Sequence, residues 1–344
     1  MKRRSALAAI GAAVAVPAIA RAQTAAVTVG ITHSTADVPF YLAEKLGYFR
    51  EAGISVTFEA FDGAPKMIPP LGVGQLDVGS GAPSAGLYNG VARGISLRMV
   101  ADKGSPRRGY GYSPLMVRKS LVTGGQYRAV KDLKGLKIGE IAPGGASSAT
   151  LAKLLATGGL GYGDVQHVFL GFPDHVAAIA NGSIDASLAN EPYATIMERQ
   201  GSAVRIMGND KWYPDQQIAV LIYGHSMLGE RRDVGVRFMR AWIRAVRYYN
   251  EALANGHVAG KNAGVVLDTL VEYTDIKDRS DYTNMIASSV NPDGKLNVPS
   301  LNDDLEFFKS QNLISSPVTV SAAIDTEFQT TAVRALGPYR GPRA

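Results

Sequence analysis

Small polar residues follow four predicted strands, each just before a helix is predicted to begin. In open α/β sheets ligands bind beyond the carboxyl ends of the strands. Helix N-termini at that edge offer unpaired N–H groups and partial positive charge. We therefore interpret residues of four short segments as candidate ligand-binding residues: Ser34 and Thr35 after His33; Ser80, Gly81 and Ser84; Ser147 and Ser148; and Asn190, Glu191 and Tyr193.

Each group also has a simpler interpretation as a helix cap. Serine or threonine at a helix start stabilises the helix by about 1 kcal/mol with or without a ligand. Glu191 either accepts hydrogen bonds from a ligand amine or ring nitrogen, or interacts with the first turn of its own helix. Arg107 and Arg108 either clamp an anion or lie in a solvated loop, and the sequence leaves open whether they reach the ligand. Helix N-termini with a nearby arginine favour an organic anion, a carboxylate or sulfonate, with aromatic ones included.

An enzymatic alternative depends on Ser84. The run Ala82-Pro83-Ser84-Ala85-Gly86 departs by one residue from the nucleophile-elbow pattern of serine hydrolases. A triad would also need a histidine, and four follow Ser84 in the chain: His167, His175, His225 and His257. We expect a binding protein rather than an enzyme and keep a serine esterase-like hydrolase as the alternative.

Several classes of chemistry find no support in the composition. The chain has no cysteine, which excludes disulfides, thiolate metal sites and a lipid anchor on cysteine. There is no phosphate-binding loop, no dinucleotide-binding glycine pattern and no metal-binding histidine pair at helical spacing. No dense run of lysine and arginine is present either. We therefore expect no metal, no cofactor and no nucleic acid.

The first 22 residues form a predicted signal peptide. A basic start is followed by a short apolar stretch and the small-x-small pattern Ala20-Arg21-Ala22. Arg3-Arg4 partly resembles a twin-arginine signal, so export by that route or by the general secretory one both remain open. The segment holds four basic residues and no acid, so the formal net charge of +6 falls to +2 without it. We expect a periplasmic protein without a lipid anchor.

The elements that would position the candidate residues alternate along the chain. Strand-like runs such as residues 26–32 and 136–142 precede helical patterns, and this alternation predicts parallel sheets covered on both faces. From residue 231 to 254 one long helical pattern appears, and the last third shows further helices with little strand signal. The sequence thus predicts an α/β protein with a helical C-terminal section.

Several segments resemble the periplasmic binding proteins of nitrate, sulfonate, taurine and thiamine-precursor importers. In chain order they are residues 39–61, 71–85, 130–160, 176–194 and 324–337, including "LGVGQLDVGSGAPSA" and "VAAIANGSIDASLANEPYA". Pro69-Pro70 departs from the pattern, because it interrupts an expected helix. Together the segments span most of the chain after the predicted signal peptide.

The resemblance implies a type II periplasmic-binding fold, with two lobes and a hinge of two segments. Lobe 1 would comprise residues 23–113 plus 223–344, and lobe 2 residues 114–222. The hinge would lie near residues 112–114 and 216–222. The implied function is the solute-binding component of an ABC-type importer, acting as a monomer with an inner-membrane permease as partner. A ligand sensor for a membrane kinase would use the same closure and stays open.

Overall fold

The computed structural model describes residues 24–32 and 34–342. The predicted signal peptide (residues 1–22) and His33 therefore lie outside the described residues. Two five-stranded sheets organise the rest of the chain. None of the helices in this described part combines the length and the apolar character needed to span a bilayer.

The first sheet has the strand order β2-β1-β3-β10-β4. Its strands are β1 (Ala25–Ile31), β2 (Ile54–Ala60), β3 (Val78–Gly81), β4 (Arg98–Gly104) and β10 (Ala219–Tyr223). Strand β1 runs parallel to β2 and β3, whereas β10 runs antiparallel to its neighbours β3 and β4. A strand from late in the chain thus completes the N-terminal sheet.

The second sheet repeats this plan with the order β7-β6-β8-β5-β9. Its strands are β5 (Leu115–Arg118), β6 (Lys137–Glu140), β7 (Gln166–Phe169), β8 (Ala186–Ser187) and β9 (Ala203–Met207). Again the fourth strand, β5, is antiparallel to both neighbours, and β6 is parallel to β7 and β8. Two short strands of two residues each, β11 (Leu253–Ala254) and β12 (His257–Val258), form a hairpin that belongs to neither sheet.

Helices connect the strands and cover the sheets. The helices that precede strand β10 in the chain are α1 (Val38–Lys45), α2 (Tyr48–Glu51), α3 (Ile68–Gly72), α4 (Ala85–Ala92), α5 (Lys119–Thr123), α6 (Ala146–Thr157), α7 (Phe172–Ala180) and α8 (Tyr193–Arg199). The C-terminal helices are α9 (His225–Leu228), α10 (Arg232–Asn250), α11 (Ala263–Tyr273), α12 (Arg279–Asn284), α13 (Val298–Ser310), α14 (Val320–Ala323) and α15 (Glu327–Leu336). The predicted long helix and the helical C-terminal section are both present.

The C-terminal helices bury apolar side chains against the first sheet. In α10, Phe238 and Trp242 are one turn apart and fully buried against Phe40 of α1. On the other side of the sheet, Leu301 and Phe308 of α13 join a second buried cluster. Burying one such side chain is worth about 1.5–3 kcal/mol. The lobe built on the first sheet therefore depends on residues from both ends of the chain.

The chain crosses between the sheets twice, through residues 105–114 and residues 208–218. Residue 113, the predicted end of the first segment of lobe 1, falls in the first crossing. Residues 219–222, which the sequence analysis assigned to lobe 2, instead lie in β10 of the first sheet, because β10 pairs with β3 and β4. A short apolar strand carries no sign of the sheet it joins, so this boundary was placed too late.

The segment that holds Pro69 and Pro70 is not one continuous helix. The two prolines occupy the first turn of α3, where backbone N–H groups have no partner within the helix and a missing N–H costs little. A 3₁₀ turn at residues 64–67 leads into this helix. The segment is thus two short helices rather than one continuous helix.

Candidate functional site

A cavity lies between the two lobes. It is bordered by the carboxyl ends of β3, β4 and β6 and by the N-termini of α4 and α6. Much of its wall is apolar and comes from both lobes, with Pro65 on one side and Ile141 and Phe172 on the other. Its polar lining residues are Thr32, Ser34, Ser80, Ser84, Lys103, Tyr112, Ser113, Ser147 and Asn190.

The lobes touch each other around this cavity. The backbone N–H of Ala85 donates to the carbonyl oxygen of Gly144 across the gap at 2.9 Å. The Thr35 hydroxyl donates to the carbonyl oxygen of Glu191 at 3.2 Å. Because each bond joins residues of different lobes, the structure is in a closed arrangement. Gly144 has φ +64°, and a Cβ there would lie 3.2 Å from the Ala85 Cβ, so the contact needs glycine.

Two helices begin at the cavity with different caps. Ser84 accepts a hydrogen bond from the Leu87 N–H at 3.2 Å and so caps α4. Helix α6 begins after Gly145, which supplies no side-chain cap. The hydroxyl oxygen of Ser147, in the first turn of α6, is buried and has no hydrogen-bond partner among the described residues. An unpartnered buried polar group is costly, so this position is suited to a ligand.

One residue of the cavity wall, Lys103, belongs to a buried ion pair. The Lys103 ammonium lies 2.7 Å from Oδ1 of Asp37, and both side chains are at most 2% exposed. Oδ1 also accepts from the Ser80 hydroxyl, while Oδ2 accepts from the N–H and hydroxyl of Thr32 and the N–H of Ser34. Asp37 thus ties the end of β1, the end of β3 and β4 together.

The sequence profile of the family described as NMT1/THI5 like matches residues 34–252, which cover the whole second sheet and part of the first lobe. The chain belongs to the NMT1/THI5-like family. The match begins at Ser34, on the cavity wall, and ends after α10 of the C-terminal section.

Relatives and structural neighbours of this NMT1/THI5-like chain align with nearly its whole length. A Brucella abortus (strain 2308) protein, named only as a candidate binding protein, is 26% identical over 86% of this chain and 89% of its own. The alkanesulfonate-binding protein SsuA from Xanthomonas axonopodis pv. citri, solved with MOPS bound, aligns with TM-score 0.67 and 18% identity over 89% of this chain and 99% of its own. The periplasmic nitrate-binding protein NrtA from Synechocystis PCC 6803 aligns with TM-score 0.75 and 12% identity over 91% and 89%.

The same fold also occurs in an enzyme. The desulfurization enzyme DSZB aligns with TM-score 0.58 and 15% identity over 91% of this chain and all of its own. At such identities the likeness concerns the fold. The type II periplasmic-binding fold predicted from the sequence, and the family resemblance on which that prediction relied, are confirmed.

The structure brings six of the ten candidate residues of this NMT1/THI5-like chain to the cavity wall: Ser34, Ser80, Gly81, Ser84, Ser147 and Asn190. The other four lie outside the lining: Thr35, Ser148, Glu191 and Tyr193. All four are buried, and Thr35 serves the contact between the lobes. Tyr193 stacks on Phe172, which does line the cavity, and burial raises the pKa of Tyr193 to about 12.

Glu191 is occupied by the protein itself. Its Oε2 accepts from the Thr195 N–H at 3.0 Å, and its Oε1 accepts from the Ile286 N–H at 3.2 Å. Oε1 also lies 2.7 Å from the Arg205 guanidinium. The interaction with the first turn of its own helix is therefore the one observed, and the carboxylate has no free oxygen to offer a ligand.

Arg107 and Arg108 do not border the cavity. Arg107 lines a separate surface groove with Asn291 and Lys295, and Arg108 is exposed. The anion clamp is therefore not formed at the interlobe cavity. The cationic side chain that lines this cavity is that of Lys103. The sequence did not single it out, because a lysine at the end of a strand is usually solvated. Asp37 had a weak signal, since Ser34 and Asp37 have capping-box spacing and form that box in the structure.

Two further buried acids lie near the contact between the lobes. Oδ1 of Asp304 in α13 accepts from the Tyr213 hydroxyl at 2.8 Å, and Oδ2 accepts from Nε2 of Gln216 at 3.2 Å. Burial raises the pKa of Asp304 to about 7. Glu140 at the end of β6 is fully buried, and its Oε1 is 2.6 Å from Nδ1 of His167. This hydrogen bond raises the pKa of His167 above its ordinary value.

Proposed function

We propose that this chain is the extracytoplasmic solute-binding component of an ABC-type importer and closes its two lobes around a small organic anion. The closed interlobe cavity carries the proposal, because it combines apolar walls with a buried lysine and an unpartnered serine hydroxyl. Ligand pockets typically have mostly apolar walls with a few placed polar groups. The names of the sulfonate- and nitrate-binding neighbours support an anionic ligand.

Closure explains how binding would be communicated. A ligand shifts the open–closed equilibrium only by its differential affinity for the two states. A solute that touches Ser80 on one lobe and Ser147 on the other gains contacts that the open form lacks. The closed form, acting as a monomer in the periplasm, is then what an inner-membrane permease distinguishes.

Binding on this scheme needs no covalent step. The Ser84 oxygen accepts from the Leu87 N–H and caps α4. Among the described residues, His167 is paired with Glu140 and His175 with Ser187, so neither orients Ser84 as a general base. We therefore propose binding rather than hydrolysis for this chain, with the neighbouring desulfurization enzyme sharing only the fold.

A thermal-shift screen tests the proposal. Residues 23–344 would be melted with alkanesulfonates, alkylcarboxylates, nitrate, amino acids, amines and pyrimidines. A ligand at 100 times its Kd stabilises the native state by about 2.7 kcal/mol, which is about 4 °C for a chain of 344 residues. Shifts with organic anions are expected. Shifts only with amines or neutral compounds would contradict an anionic ligand.

A serine variant then places the ligand. Ser147→Ala removes the unpartnered hydroxyl and should weaken binding of the best anion about fivefold to tenfold, the value of roughly one hydrogen bond. Ser120→Ala is the matched control, because Ser120 is exposed on α5. Equal affinity of the Ser147 variant and wild type would place the ligand elsewhere.

A further inference from the structure

Lys103 is an unusual residue to find on a cavity wall. Its side chain is 2% exposed, yet it borders the interlobe cavity. An ammonium has three N–H donors and no acceptor. Among the described residues, its hydrogen-bond acceptor is Asp37. Two donors are therefore available for a group in the cavity.

Asp37, in contrast to Lys103, has its hydrogen-bonding capacity filled by donors of the protein itself. One carboxylate oxygen accepts from Lys103 and the Ser80 hydroxyl, and the other accepts from Thr32 twice and from the Ser34 N–H. A carboxylate offers about four acceptor sites. The pair therefore presents spare donors to the cavity and no spare acceptor.

Among the described residues that line the cavity, Lys103 is the one with a charged side chain. The apolar lining residues, among them Pro65, Ile141, Phe172 and Ile218, surround space that suits an uncharged carbon body. A buried charge is costly unless a group of opposite charge or well-placed hydrogen bonds compensate it. A cationic group in this cavity would meet Lys103 and find no carboxylate with a free oxygen.

We propose that Lys103 binds the anionic head of the ligand, and that the Lys103–Asp37 pair selects organic monoanions that carry no ammonium group. Asp37 is the positioning residue, because it holds Lys103 and Ser80 without touching the ligand. This inference rests on the proposed function and adds the residue that binds the anionic head and the exclusion of ammonium groups. Amino acids and aminosulfonates are excluded by the same pair that admits a simple sulfonate or carboxylate.

Three probes of nearly equal shape test this selectivity for monoanions without an ammonium group, which we call the charge rule. They are butane-1-sulfonate, a monoanion; 3-aminopropane-1-sulfonate, in which an ammonium replaces the terminal methyl group; and butyl methyl sulfone, in which a methyl group replaces the charged oxygen. Titration calorimetry of wild type should give at least tenfold tighter binding of butane-1-sulfonate than of either other probe.

Charge-removing variants test the residue. Lys103→Met alone leaves the Asp37 carboxylate buried without its ammonium partner. The double variant Lys103→Met/Asp37→Asn removes both charges and leaves the net charge of the pair at zero. The double variant should bind butane-1-sulfonate at least tenfold more weakly than wild type and no longer prefer it to the sulfone. Lys119→Met, at an exposed position of α5, loses the same charge and should keep wild-type affinity.

The outcomes separate the two proposals. Equal or tighter binding of 3-aminopropane-1-sulfonate by wild type overturns the charge rule and leaves a solute-binding protein in place. A folded double variant with wild-type affinity for butane-1-sulfonate makes the ion pair structural and overturns the role of Lys103. Wild type that binds none of the three probes, nor any compound of the wider screen, refutes the proposed function and the inference with it.

Discussion

Replacing Asp304 by asparagine should change how the stability of the protein depends on pH. Asp304 is buried where α13 meets Gln216 of the second crossing, and desolvation raises its pKa to about 7. The folded state therefore holds a proton that the unfolded state releases near the ordinary aspartate pKa of 3.8. Stability must fall as pH rises between these two values and level off above the higher one.

The size of the effect follows from that shift. From pH 5 to pH 7 the folded carboxyl keeps its proton while the unfolded one is ionised, and each pH unit costs about 1.36 kcal/mol. Wild type should therefore lose roughly 3 kcal/mol relative to Asp304→Asn between pH 5 and pH 8. At about 2.1 cal/mol/K of unfolding entropy per residue, 344 residues convert this to about 4 °C in Tm.

Thermal unfolding followed by circular dichroism at pH 5, 6, 7 and 8 measures this difference. Tm of Asp304→Asn minus Tm of wild type should grow by about 4 °C across the range. Asp303→Asn is the control, since Asp303 is the next residue of the same helix and its side chain is 59% exposed. A difference that stays constant from pH 5 to pH 8 would refute the reasoning, because Asp304 would then be ionised throughout.

Three other substitutions give expected outcomes. Gly144→Ala places a Cβ against the opposite lobe and should weaken ligand affinity fivefold to a hundredfold, at about 1–3 kcal/mol of overpacking; Gly159→Ala, also at positive φ but with open space, should leave affinity unchanged in titration calorimetry. Glu191→Gln should lower stability by about 1–3 kcal/mol in chemical unfolding without altering ligand affinity, and an affinity loss would return Glu191 to the ligand site. The raised pKa of His167 beside Glu140 contributes stability below the ordinary histidine pKa of 6.5 that is lost as pH rises. In melts of His167→Gln against wild type, the Tm deficit should be largest near pH 5–6 and shrink by pH 8, and a deficit independent of pH would contradict this.

The features that depend on neighbouring residues were predictable from the sequence. The alternation of strands and helices, the cap at Ser84 and the long α10 helix all follow from patterns within about 20 residues. The family resemblance supplied the arrangement of lobes. These local signals are also why six candidate residues, Ser147 among them, reach the cavity wall.

The features that depend on distant residues were not predictable. Lys103 meets Asp37 only because β4 ends beside the 3₁₀ turn of residues 35–37, which lies 66 positions earlier in the chain. Glu191 resembled a ligand residue because nothing nearby in sequence shows that Arg205 and Ile286 take its oxygens. The order of strands in the sheet determines which charged residues meet, and the spacing of residues along the sequence does not reveal that order.

The position of β10 has a consequence for how the chain is assembled during synthesis. Strand β4 joins the first sheet only through β10, and the helices α10 and α13 that cover this sheet come later still. A nascent chain of about 210 residues therefore holds a complete second sheet and an unfinished first one. The lobe that is interrupted in sequence is therefore the last to be completed, and until then its apolar strands lack the helices that cover them.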